Sequence, residues 1–455
     1  MFKKIQTLFS NKKLADIKRK VTVASESGDD ELIWNEIQPL LRLQGKNKEV
    51  ALCLLEIVEE FYLSIDKALE VLGEIYDCHL DDLELVSLIG LALESARDIN
   101  QLNIEPPDHP LFSKILSHLK ENIEKVKNTD NEESLLHALA TTARMMARQH
   151  DQIVFDCYRR LVETNPEKSK YQYGLGLFCK TRGYFKEGVL ANQKAKEMVE
   201  ETVDSYEWNL GICATGAGEG ELAIDVWKQM GNKIEMGRFG LPEGGYPQAK
   251  VRLAQYPLAE RNAEKDYPGL EETIWIERLS PCHGIIRSVL YQDLGVDYGD
   301  VVLIDGAPIT YHKYDDKEIP VFPHLATLQK RNYLFFDFAG TQDTANIINE
   351  LSSDLDRDAI IYSHTENFKM LCTTCWRDPD TNHEDHEAEE KHVIIGRVAV
   401  PNDMNLEEFL TTLDKSLSNR KDCRIFVPDL CKEVGLTKRT EVERRRFEML
   451  CDSRA

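Results

Sequence analysis

A recurrence at 35 residues constrains this chain more than any other feature. Leu175-Gly176 returns as Leu210-Gly211, Gly183 as Gly218, Gly188 as Ala223, and Asn192 as Trp227. Small residues at fixed offsets within helical patterns mark places where two backbones approach closely, and the glycine between them marks the turn. One further step back gives a degenerate copy over residues 135–168, ending on Asn165-Pro166. From about residue 31 to 231, apolar residues recur at three- and four-residue spacing, as in Leu85, Leu88, Ile89 and Ala92. That period predicts one amphipathic helix after another. The Gly216-Ala217-Gly218-Glu219-Gly220 cluster lacks the preceding strand and the Lys-Ser/Thr of a phosphate loop. Its place in the period makes it an inter-helix turn.

Over residues 135–231 these positions resemble the tetratricopeptide repeat. The resemblance implies an α-solenoid whose concave groove is lined by the first helix of each pair. Carried over position by position, the groove would be lined by Tyr173, Leu177, Lys180, Trp208, Asn209, Ile212 and Thr215. Aromatic anchors with one cation suit a protein or peptide partner. Asn209 falls on one position of the carboxylate clamp found in chaperone-binding members, whereas Tyr173 stands where the first clamp lysine would be. The competing reading is that these aromatics pack against neighbouring helices or against the C-terminal region.

The expected organisation is multidomain, α followed by α+β. Residues 1–30 form an N-terminal segment, 31–134 helical hairpins and 135–235 the repeats. Residues 236–271 are rich in glycine and proline and read as a linker. Within the linker, residues 248–262 allow a last helix interrupted at Pro257, and Arg238, Arg252 and Arg261 read as structural charges facing the acidic array, with an anionic ligand as the alternative. Residues 272–331 alternate as a small β region, a short antiparallel sheet or partial barrel, with Asp305-Gly306 as a hairpin signal. Residues 332–455 follow the order β-α-β, β-α-β, which predicts a ferredoxin-like sandwich with a Cys/His insertion at 370–392 and a final helix over 438–451.

That insertion carries the most chemically suggestive residues. Cys372 and Cys375 have the spacing of half a tetrahedral zinc site, and His383, His386 and His392 supply imidazoles for the other half. Zinc would staple a loop with too little apolar content to hold itself. The opposing reading is a solvated acidic loop or a redox dithiol. Elsewhere, Cys282-His283 sets a thiol beside an imidazole, but neighbours on a strand point to opposite faces. No Gly-x-Ser-x-Gly elbow or His-Glu-x-x-His helix is present, so no catalytic residue is assigned.

Charge narrows the partners. Lys and Arg number 56 against 79 Asp and Glu, a formal net charge of -23. Such a chain repels nucleic-acid phosphates and anionic lipid, which leaves protein or peptide as the expected partner. The basic start at residues 1–6 is followed by no apolar run, unlike a secretory signal. The eleven cysteines are odd in number and scattered, as for small apolar thiols in a reducing cytoplasm. The expectation is a cytoplasmic binding adaptor. The alternatives are a metal-dependent or thiol enzyme in the C-terminal half, and a toxin-neutralising or secretion-chaperone protein.

Overall fold

The computed structural model describes residues 15–24, 30–44, 47–60, 63–96, 109–314, 317–343, 347–355, 359–364 and 392–452. Its N-terminal half is helical and its C-terminal half is rich in strands. No helix among the described residues is long and apolar enough to cross a membrane.

Each helix of the array buries the stripe its sequence encodes. In α1, Asp151–Thr164, the buried residues are Val154, Cys157, Tyr158 and Leu161, one face at helical spacing. The two best-matched pairs are α2, Ser169–Thr181, with α3, Phe185–Glu197, and α4, Asp204–Gly216, with α5, Gly220–Gln229. Gly176 lies against Asn192, and Gly211 lies against Trp227, so a side chain at either glycine would collide with the partner helix. The recurrence therefore records real close approaches. Both first helices also end alike. Gly183 and Gly218 sit at φ +76°. The following amides reach back, Tyr184 N–H to Cys179 C=O at 3.0 Å and Glu219 N–H to Ala214 C=O at 2.9 Å. This left-handed cap satisfies carbonyls that the helix end would leave open.

After a two-stranded ribbon, β1 Glu235–Met236 with β2 Pro242–Glu243, the chain builds a barrel. Its strands are β3 Ala249–Ala254, β4 Glu271–Arg278, β5 His283–Ile286, β6 Val301–Ile304 and β8 Lys317–Gln329. They pair in the order β3-β4-β5-β6-β8, and β8 returns to β3. Four of these junctions are antiparallel and the closing one, Lys250↔Val321 to Arg252↔Pro323, is parallel. An odd number of alternating strands can close no other way. Ala249, Val251, Ile274, Ile276, Ile286, Val302, Ile304 and Phe322 form one apolar cluster of the barrel. Apart from Ala249, each contributes roughly 1.5–3 kcal/mol if fully buried.

Two expectations are corrected here. Residues 249–254, expected as a linker with a helix, form a barrel strand instead. The pattern Ala249, Val251, Leu253 has period two and all three are fully buried, and pairing on both sides outweighs the helical reading. Asp305-Gly306 does not join two paired strands. β7, Thr310–Tyr314, lies on the far side of β8, so β6 and β7 both pair with β8 and not with each other.

The C-terminal unit holds β9 Leu334–Gln342, β10 Ile360–Ser363, β11 His392–Val400 and β12 Cys423–Phe426 in one antiparallel sheet, ordered β10-β11-β9-β12. The first and third strands are central. Helices α6, Ile347–Ser353, and α7, Leu406–Ser418, pack with Phe338, Ile361, Ile394 and Val398 in one core. Asn405 caps α7 by accepting the amides of Glu407 and Glu408 at 2.9 and 3.2 Å. Helix α8, Thr437–Asp452, joins a second cluster with Ala339 and Val393. The outer edge at β10 is blunted by a side chain. Ser352 Oγ accepts from Ile361 N–H at 2.8 Å and donates to its C=O at 2.9 Å, mimicking a neighbouring strand.

Candidate functional site

The inner face of α2 and α4 is where the sequence places a groove, and the structure shows what those residues touch. Tyr173 stacks on Tyr206, with ring centroids 4.8 Å apart and planes at 25°. Leu177 is half-buried beside it on the helix. One turn further, Lys180 is 4% exposed and its Nζ lies 2.8 Å from Asp305 Oδ2, on the barrel segment following β6. Trp208 sits edge-on to Trp227 at 5.2 Å, and its indole covers Gly306 so closely that no Cβ would fit there. Asn209, Ile212 and Thr215 are buried. Thr215 Oγ1 donates to Gly211 C=O at 2.8 Å and accepts from Cys282 Sγ at 3.4 Å.

These contacts join the array to the barrel. Leu210, Ile212, Trp227, Cys282, Leu303 and Leu325 share one apolar cluster. Two further ties secure the seam. Arg148 donates to the carbonyls of Thr181 and Leu258 and pairs with Asp266 at 3.2 Å. Gly183 lies against the backbone oxygen of Ala259. The expectation of an open groove at Lys180, Trp208, Asn209, Ile212 and Thr215 is thus corrected. The barrel fills that part of the inner face, because its apolar wall and its Asp305-Gly306 turn complement it. Tyr173, Leu177 and Tyr206 are only half-buried.

Cys282 and His283 are both fully buried. Ser280 Oγ accepts the amides of Cys282 and His283 at 3.2 Å and lies 2.6 Å from His283 Nδ1. Burial pushes the Cys282 thiol up to about 11 and the His283 imidazole down to about 4. Both are therefore neutral near pH 7, the opposite of the thiolate and imidazolium that nucleophilic catalysis needs. The linker arginines are structural where contacts are seen. Arg238 pairs with Glu243 at 2.9 Å and Glu277 at 3.0 Å, and Arg261 donates to Tyr256 C=O at 3.1 Å.

Of the zinc-ligand set, Cys372, Cys375, His383 and His386 lie outside the described residues, and His392 opens β11 with its backbone paired to Gln342. Among the described residues no group of His, Cys, Asp or Glu is arranged to hold a metal ion. Nine cysteines are described, all of them free thiols.

No protein-family model matches the chain, and no curated protein sequence matches it. Among solved structures, PilW, a widely conserved type IV pilus biogenesis factor, is similar at 13% identity with a TM-score of 0.35. That match covers 48% of this chain and 91% of PilW. MamA AMB-1 is similar at 14% identity with a TM-score of 0.27, covering 37% of this chain and 81% of MamA. At scores this low the likeness carries no assignment of function.

Proposed function

We propose that this chain is a cytoplasmic protein-binding adaptor whose helical array takes a peptide or protein along the inner face that its own barrel leaves uncovered. The observation that carries the reading is the grip on residues 305–306. A buried lysine and an indole hold a polypeptide turn by one ion pair and one close backbone contact, the devices expected of a peptide groove. The uncovered continuation begins at the Tyr173–Tyr206 stack. Affinity capture from source-cell lysate, comparing the wild-type chain with a Tyr173→Ala/Tyr206→Ala double variant, tests it. Loss of a specific partner from the variant supports the reading, and identical partner profiles reject it.

The C-terminal unit is read as a ferredoxin-like regulatory domain, a reading supported by its central first and third strands and by two helices in a shared core. Zinc on Cys372, Cys375 and two of the three histidines stands as a proposal of the sequence alone. Elemental analysis of the purified chain tests it together with the metal-enzyme alternative. Zinc far below one per chain rejects both.

A further inference from the structure

We propose that the seam between the barrel and the C-terminal sheet binds a small ligand that combines a flat aromatic ring with an anionic group. The seam contains a cleft of about 590 Å³, within the range of small-molecule sites. Four separate stretches of the chain line it. Strands β3 and β4 supply Lys250 and Trp275, the segment after β5 supplies Ser288 and Tyr291, and the end of β10 supplies Tyr362 and His364.

Its aromatic lip is held in place. Tyr291 is 77% exposed, yet its amide donates to the Glu272 carboxylate at 3.0 and 3.1 Å. The Tyr291 ring stands edge-on to His364 at 5.5 Å, and His364 stands edge-on to Tyr362 at 5.5 Å. A large aromatic side chain fixed in this way loses little freedom when a second ring slides beneath it. Glu272 also accepts from Gln292 N–H at 3.0 Å, so its carboxylate serves to anchor the lip.

Polar groups in the cleft favour a ligand over bulk packing. His364 Nε2 is buried and has no hydrogen-bond partner among the described residues. Leaving such an atom unmatched is unfavourable, and a ligand donor or acceptor would relieve it. Burial lowers the His364 pKa, which keeps the ring neutral and able to make such a bond. Also lining the cleft, the Lys250 ammonium lies 4.9 Å from the Trp275 ring centroid and 3.4 Å from His312 Nδ1, and its positive charge suits an anion. A peptide strand added to the edge of β10 is a poorer occupant, because Ser352 already bonds both backbone groups of Ile361.

The test uses the full chain and ligand-observed NMR with three aromatic acids, AMP, indole-3-acetate and 4-hydroxybenzoate. Each is run beside its uncharged counterpart: adenosine, 3-methylindole and phenol. The proposal expects at least one acid to bind, its neutral counterpart to bind more weakly, and Lys250→Met to erase that difference. Tyr291→Ala, at an exposed position that the fold tolerates, is expected to weaken binding about tenfold or more, and His364→Ala to do likewise. Absence of binding by all three acids at millimolar concentration overturns the proposal. So does Tyr291→Ala binding that equals wild type. Equal binding of acid and neutral counterpart overturns its anionic part.

Discussion

Lys180 and Asp305 meet at 2.8 Å across the junction of array and barrel, both more than nine-tenths buried. Neither charge has water to fall back on, so the pair makes each unit's position depend on the other. Removing one partner leaves an uncompensated buried charge, a loss of about 3–5 kcal/mol. Lys180→Met and Asp305→Leu should each lower the urea midpoint strongly. The double variant should recover much of the loss, and a double-mutant cycle with additive effects would contradict the coupling.

Two glycines with the same backbone angle should respond differently to the same substitution. Gly183 and Gly218 share φ +76°, and alanine at either costs about 1–2 kcal/mol for the left-handed conformation. At Gly218 the added carbon meets open space, whereas at Gly183 it falls 2.6 Å from Ala259 O. Gly183→Ala should therefore be the more destabilising in thermal or urea melts, because it also pushes against the barrel.

The sheet edge gives a third prediction. Ser352→Ala strips the side chain that bonds both backbone groups of Ile361. The expected loss is about 1–3 kcal/mol. A free edge should also raise the tendency to associate, read as a concentration-dependent increase in mass by light scattering.

Acid should weaken the fold through histidines. Burial holds His283 and His324 at about 4, below the ordinary 6.5. Above pH 6.5 both are neutral whether folded or unfolded. Between that value and pH 4 the unfolded chain takes up protons that the folded chain refuses, so stability falls as pH drops through this window. Each group contributes on the order of 3 kcal/mol across the full range. Urea melts at about pH 7.5 and about pH 5 should differ accordingly, and His324→Gln should flatten the slope.

The array was legible because its recurring residues are those that meet. Gly176 with Asn192 and Gly211 with Trp227 are close approaches within one helix pair, so spacing along the chain encodes contact in space. The groove's occupant was not legible. Asp305, Gly306 and Cys282 reach Lys180, Trp208 and Thr215 from far along the chain, and no local pattern announces a pairing at that distance. The same Asp-Gly pair that signals a hairpin is spent here on a docking turn. Glycines and prolines around β3 suggest a linker, while within it Ala249, Val251 and Leu253 alternate with Lys250 and Arg252. The seam cleft left no trace in the sequence, since Trp275, Tyr291 and His364 come from separate segments joined only by folding.

The parallel closure of β3 on β8 has a consequence for synthesis. Helix pairs form from neighbouring segments as they leave the ribosome, but β3 at residues 249–254 cannot be sealed until residues 321–323 have emerged. At about 5–20 residues per second, that interval lasts several seconds. Throughout it the nascent array carries Lys180, Ile212 and Thr215 without the wall that will cover them. Translation pauses or chaperone contacts within this interval would act on the junction while that face of the array is still open.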